Sequence, residues 1–233
     1  MRYTFSNMIN LIQSFKIEVP KGIFIKDPET SELGKRIIKH SILLIDELGF
    51  ELFTFKKLGL AINSNESSIY RYFESKHHLL MYLTSWYWVW IEYQLVLETF
   101  ALKDTEDKLK KGIEVLTRTT EEDSNFEHIN EVVLNKIIIS ENAKAYLTCD
   151  VDTENEEGFF KPFKRVVMRF SELILEYNKT YKHPLSLASS TIEGALQQHF
   201  FKQHIKSITN CNSKTSVTQF YTNLIFNTLK HEE

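Results

Sequence analysis

The chain has 233 residues, a formal net charge of −3, 42% hydrophobic and 25% charged residues, which is enough to bury a core in one or two domains. That composition excludes a disordered chain, a collagen and a coiled-coil rod. Only seven glycines and four prolines occur, too few for the many tight turns of a sandwich or barrel, so the expected class is all-α with about nine helices. Two cysteines, Cys149 and Cys211, make no disulfide framework, and no secretory leader pattern opens the chain, so a cytoplasmic location is expected. The best membrane candidate, residues 79–102, is interrupted by Thr84, Ser85, Glu92, Gln94 and Glu98, and no span is predicted.

Residues 1–30 read as an N-terminal extension without a role assigned by the sequence, in which 16–28 alternates as extended chain does. From Ser31 a helix is signalled by Ile37, Ile38, Leu44, Ile45 and Leu48, with Gly49 as its left-handed stop. Thr54 then caps a short helix to Ile62, Asn65 a second to about Phe73, and Ser75 a third to about Phe100. The last of these, at ~1.5 Å per residue, is roughly 39 Å long and should act as a spine joining two parts of the molecule. Further helices are expected at about 104–119, 127–148, 159–180, 185–206 and 214–230. Clean apolar stripes run through Phe163, Val166, Phe170 and Ile174, and through Val217, Tyr221, Leu224 and Ile225. The acidic run from Asp150 to Glu157 reads as a solvated loop.

Residues 54–76 carry the functional signal. Two short helices across a tight turn need a small residue where they nearly touch, a residue tolerant of positive φ in the turn, and apolar residues that lock the second helix down. Gly59, Asn63 and the set Leu58, Ile62 and Ile69 meet those demands. Thr54, Lys56, Lys57, Tyr70 and Lys76 cluster at the helix ends, where they can meet phosphate oxygens, while Glu66, Ser67, Ser68 and Arg71 mark the start of the second helix. The segment holds four Lys or Arg against two Glu, whereas residues 77–233 hold 17 against 22, so basic groups are segregated into the head. A head this weakly basic binds DNA tightly when two copies share one duplex.

Residues 33–80 resemble the DNA-binding domain of the TetR family of transcriptional regulators. The resemblance rests on Gly49, Phe53-Thr54, the run Ile69-Tyr-Arg-Tyr-Phe73, Ser75-Lys76 and the pair Leu79-Leu80, about a fifth of the chain. It implies a helix-turn-helix head at 31–78 and a helical ligand-binding and dimerisation domain at 79–233. By the resemblance, phosphate contacts fall on Thr54, Tyr70 and Lys76, and base-reading positions on Lys56, Glu66, Ser67, Ser68 and Tyr72. The position of Lys57 adds it to the phosphate set and that of Arg71 adds it to the base-reading set. The chain departs from the family pattern at Asn63, where glycine is common, and at Ser64, where a small apolar residue is common.

The expected partners are an operator duplex, a small ligand and a second copy of the chain, packed through the helices at 185–206 and 214–230, with no membrane. Ala188, Gly194 and Ala195 are small enough to admit a partner's helix there. The aromatic run from Trp86 to Trp90, with Tyr93 and the distant His199, supplies candidate ligand contacts at Trp86, Tyr87, Trp90, Tyr93 and His199, against the plainer reading that they pack the core. His77 and His78 read as exposed and incidental, and His128 with Glu131 as an isolated pair short of a metal site. With no nucleophile elbow, phosphate loop or dinucleotide fingerprint, neither catalysis nor a cofactor or metal is expected. Two alternatives are an all-helical carrier or enzyme with a vestigial head, and an adaptor whose head binds protein.

Overall fold

Side-chain caps decide where most of these helices begin. In the computed structural model, which describes residues 17–119, 128–212 and 215–230, ten α-helices and two short 3-10 turns account for the regular structure, and no strand occurs among the described residues. Helix α1 (Glu32–Leu48) starts where the Ser31 hydroxyl oxygen accepts the Gly34 N–H, and it stops at Gly49, φ 76°. Helices α2 (Phe55–Ala61), α3 (Glu66–Tyr70) and α4 (Lys76–Thr99) begin at Thr54, Asn65 and Ser75, each accepting a backbone N–H three residues on. Asp104 and Asn130 do the same for α5 (Thr105–Thr117) and α6 (Glu131–Tyr146). Helix α7 (Val151–Glu156) is followed by α8 (Lys161–Tyr177), α9 (Pro184–His204) and α10 (Val217–Lys230).

The acidic run expected as a loop is therefore a short helix, α7. Its stability comes from one inward carboxylate: Glu154 is buried, and its Oε1 lies 2.6 Å from His77 Nε2 at the start of α4. A charge count cannot reveal that one of five acids turns inward.

Helix α4 is buried on every side from Leu79 to Glu92, the mark of a helix surrounded by protein. Helices α5, α6 and α8 pack around it, and α9 and α10 lie beyond, against α5, with α9 also on α8. The carboxylate of Glu92, 8% exposed, is held by Arg165 Nε at 2.7 Å and Arg169 Nε at 2.6 Å, which tie α4 to α8. Such a buried charge is tolerable only when paired. Ala188 and Ala195, expected to face a second copy, are buried within the protomer, and Gly194 stands against the Tyr221 hydroxyl. These small residues serve the contact between α9 and its own neighbours. Among the described residues no helix is long and apolar enough to cross a membrane.

The described part of the extension, 17–30, is packed chain. Ile17 and Ile23 enter the core, Ile25 N–H donates to the Tyr72 carbonyl at 2.8 Å, and Asp27 caps the 3-10 turn Pro28–Thr30. Glu29 accepts the Tyr82 hydroxyl at 3.3 Å and bonds His128 Nε2 at 2.9 Å, so the segment touches both the head and the body. The turn lies against α1 at Gly34, where a Cβ would stand 2.1 Å from the Pro28 carbonyl oxygen and 2.6 Å from its Cα. Alanine gains about 1 kcal/mol of helix propensity over glycine, but backbone cannot yield as a side-chain tip does. Gly34→Ala is expected to destabilise the chain by about 2 kcal/mol net, a loss of roughly 4–8 °C in Tm by calorimetry. An unchanged or raised Tm would mean that the extension is not seated on α1.

Candidate nucleic-acid interface

Helices α2 and α3 meet as the spacing of Gly59 and Asn63 requires. A Cβ at Gly59 would stand 3.0 Å from the Ser64 carbonyl oxygen and 3.3 Å from Glu66 N, so only glycine lets the two backbones come this close. Asn63 takes the left-handed conformation, φ 51°, and Ser64 N–H closes the turn on the Gly59 carbonyl at 2.8 Å. Leu58, Ile62 and Ile69 are all buried and lock α3 to the head. Ser64, in place of an apolar residue, is half-buried.

This arrangement leaves a polar surface on α2 and α3. Lys56, Lys57, Ser67, Tyr70 and Arg71 are exposed, as is Thr54, while Glu66 and Ser68 are half-buried. Asn65 Oδ1 accepts three donors, Ser68 N–H at 2.8 Å, the Ser68 hydroxyl at 2.7 Å and the Ser67 hydroxyl at 2.8 Å. That orients both hydroxyls at the mouth of α3 and leaves their lone pairs open to outside donors. Tyr70 stacks edge-on against Phe55, centroids 5.0 Å apart, with nearly half its surface in solvent.

Two residues depart from their expected places. Tyr72, expected to read bases, is 3% exposed; its hydroxyl shares a 2.7 Å hydrogen bond with Ser31, and Lys26 lies over its ring. It fastens α3 to the start of α1 and offers nothing to a base edge. The Lys76 ammonium, expected on phosphate, donates to the carbonyls of Phe50, Glu51 and Phe53 at 3.0, 3.1 and 3.4 Å, which engages all three of its N–H groups. It clamps the loop between α1 and α2. His77 and His78 are not incidental either: the first holds Glu154 and the second caps with Ser75.

In the body, Trp86, Tyr87 and Trp90 are at most 5% exposed and pack the core, with Tyr87 accepting Asn135 Nδ2 at 2.8 Å. Tyr93 sits half-buried beside Glu92. His199 is buried and donates Nε2–H to the Thr117 carbonyl at 2.8 Å. A cavity of the body lies elsewhere, on the face of α4 that carries Thr84 and Trp88, and its other walls come from α6, α7 and the start of α8. Of the aromatic run only Trp88 reaches it. Which aromatics face a cavity depends on helix rotation, and α4, apolar on all sides, has no stripe from which to read it.

No protein-family profile matches the chain, and no curated protein sequence does. Solved structures do. AibR in complex with isovaleryl coenzyme A and operator DNA is similar over 82% of this chain and 96% of its own, at 16% identity and a TM-score of 0.52. A TetR-family protein of Vibrio parahaemolyticus is similar over 83% of this chain and 97% of its own, at 18% identity and a TM-score of 0.53. The chain has the TetR-family fold. The superantigen PfiT shares the architecture over 89% of this chain and 100% of its own, at 11% identity and a TM-score of 0.57, so a TetR-type fold alone does not carry the function.

Within this TetR-type body, burial holds the His199 imidazole below its ordinary value; Lys202 adds to the effect and the bond to Thr117 opposes it. The folded chain therefore binds this proton less readily than the unfolded chain. The stability it contributes is complete above the unfolded imidazole's pKa of about 6.5 and is lost as pH falls from there toward the lower folded value. His199→Gln, which keeps a donor for the Thr117 carbonyl, should flatten the fall in Tm between about pH 7.5 and about pH 5.5. Parallel curves for the two proteins would show that His199 is not the neutral buried group described here.

Proposed function

We propose that this chain is a homodimeric, sequence-specific DNA-binding regulator of TetR type, most simply a repressor, whose hold on a pseudo-palindromic operator changes when a small ligand enters the body. The observation that carries this reading is the polar surface that α2 and α3 present. Lys56, Ser67, Tyr70 and Arg71 lie together in solvent around a five-residue helix anchored from behind by Ile69. Small side chains at its start allow that helix to approach base edges, and the hydroxyls and cations around it suit the phosphates. The likeness to AibR, crystallised with operator DNA and a coenzyme A thioester, supports it and favours regulation over the carrier, enzyme or adaptor readings.

In this assignment Lys56, Glu66, Ser67, Ser68 and Arg71 read bases, and Thr54, Lys57 and Tyr70 hold phosphates. Lys76 supports them by fixing the loop that precedes Thr54. Dimerisation through α9 and α10 is supported by Leu185, Phe220 and Leu224, which are 55%, 40% and 43% exposed on those helices. Two heads would then enter major grooves about 34–36 Å apart. The body reaches the head through His77 with Glu154 and through Lys144, which lies 2.9 Å from Glu51. A ligand shifts the head only by its differential affinity for the two states of those contacts.

Selection of bound sites from random duplex DNA is expected to enrich a palindrome with half-sites one helical turn apart. Ser67→Ala or Glu66→Gln should change which base is preferred at defined positions, and Tyr72→Phe should not. Lys57→Ala should weaken binding to all sequences alike and reduce the salt slope by about one. No enrichment, or uniform loss for every variant, would overturn the assignment.

A further inference from the structure

The cavity beside α4 has a volume of about 290 Å3, small for a ligand site, since such pockets run from ~300 to 1,000 Å3. Its lining is apolar and aromatic, with Met81, Trp88, Phe159, Phe160 and Phe163 among its walls, and the Trp88 and Phe163 rings 4.9 Å apart. Ser85, Asp152, Asn155 and Lys164 add polar groups to the lining, and two further polar residues stand out. Thr84 Oγ1 and Asn142 Oδ1 are buried atoms without a hydrogen-bond partner, on residues 7% and 5% exposed.

Neither is an ordinary feature of a packed helix. Thr99, Thr117, Thr191 and Thr228 each donate their hydroxyl to the carbonyl four residues back, a partner that any helical threonine has within reach. Thr84 does not. The Asn142 amide is oriented by Glu193, whose Oε1 takes Nδ2–H at 3.4 Å while its Oε2 takes the Tyr146 hydroxyl at 2.9 Å. A carboxylate only accepts, so the amide nitrogen must face it and the carbonyl oxygen is left over. The cavity thus offers aromatic walls, one hydroxyl that gives or takes a hydrogen bond, and one oxygen that only takes.

We propose that this cavity binds a small neutral phenol or aromatic alcohol, its ring among Trp88, Phe159 and Phe163 and its hydroxyl on Thr84 and Asn142. The inference deepens the regulatory reading by naming the ligand class, and rests on it only for what binding does to DNA. A carboxylate head would meet the acceptor Asn142 with the Glu193 charge behind it. The lysine at the rim, Lys164, is already bonded to Asn155 Oδ1. A quaternary ammonium would suit the aromatic rings but leave both oxygens without a donor.

The test is titration calorimetry on the full chain with 4-ethylphenol, ethylbenzene, 4-ethylbenzoate and tetramethylammonium. One 4-ethylphenol per protomer is expected, bound about tenfold or more tightly than each of the other three. Thr84→Val keeps the shape and removes the hydroxyl, so it should weaken 4-ethylphenol about tenfold and leave ethylbenzene unchanged, with Tm equal or higher because an unpartnered buried hydroxyl is gone. No binding of 4-ethylphenol, equal binding to the Val variant, or preference for the benzoate or the ammonium would overturn the proposal. Phenol binding without operator enrichment would sink the regulatory reading and leave the site; enrichment without phenol binding would do the reverse.

Discussion

A helix buried on all sides can exist only if other helices are wrapped around it, and α4 is such a helix. Leu79 through Glu92 have almost no access to water, so α5, α6 and α8 are obliged to surround it, and its one carboxylate in that stretch needs the two arginines of α8. Its first turn meanwhile belongs to the head, where Leu79 and Leu80 are fully buried and Lys76 and His77 bond to the loop after α1 and to α7. One rigid element is thus shared by the part that would meet DNA and the part that holds the cavity.

The head shows how few residues are free to do chemistry once the fold is satisfied. Of the residues expected to contact DNA, Tyr72 closes α3 onto Ser31 and Lys76 ties down the loop before α2, both at short range and with every donor placed. The exposed remainder is small: a threonine, two lysines, a serine, a tyrosine and an arginine. A head with so little charge cannot rely on counterion release from one copy, which is the physical reason to expect it to work in pairs.

What could be read from the residues was whatever local chemistry determines. Thr54, Asn65 and Ser75 announce three helix starts because a capping oxygen needs only its own next three residues, and Gly59 with Asn63 announces the turn because backbone contact and positive φ are local demands. What depends on partners far along the chain was not readable. Glu154 becomes helical and buried because of His77, 77 residues away, and Tyr72 is withdrawn from the surface by Ser31 across 41 residues. The same holds for the cavity: Thr84 and Asn142 lie on helices with weak amphipathic patterns, so nothing in their sequence neighbourhood marks them as facing one space.

The treatment of buried polar groups separates scaffold from site in the body. Glu92, Asn135 and His199 are each buried, and each has its partner within 2.9 Å, the economy expected where a polar group serves only to join helices. Thr84 and Asn142 are as deeply buried as these, yet Thr84 Oγ1 and Asn142 Oδ1 stay without a partner beside a common void. Thr148 Oγ1 and Glu154 Oε2 are also buried without a hydrogen bond, but neither lines the cavity, whereas Thr84 Oγ1 and Asn142 Oδ1 belong to two of its lining residues. Their partner is best sought in a molecule that arrives from outside.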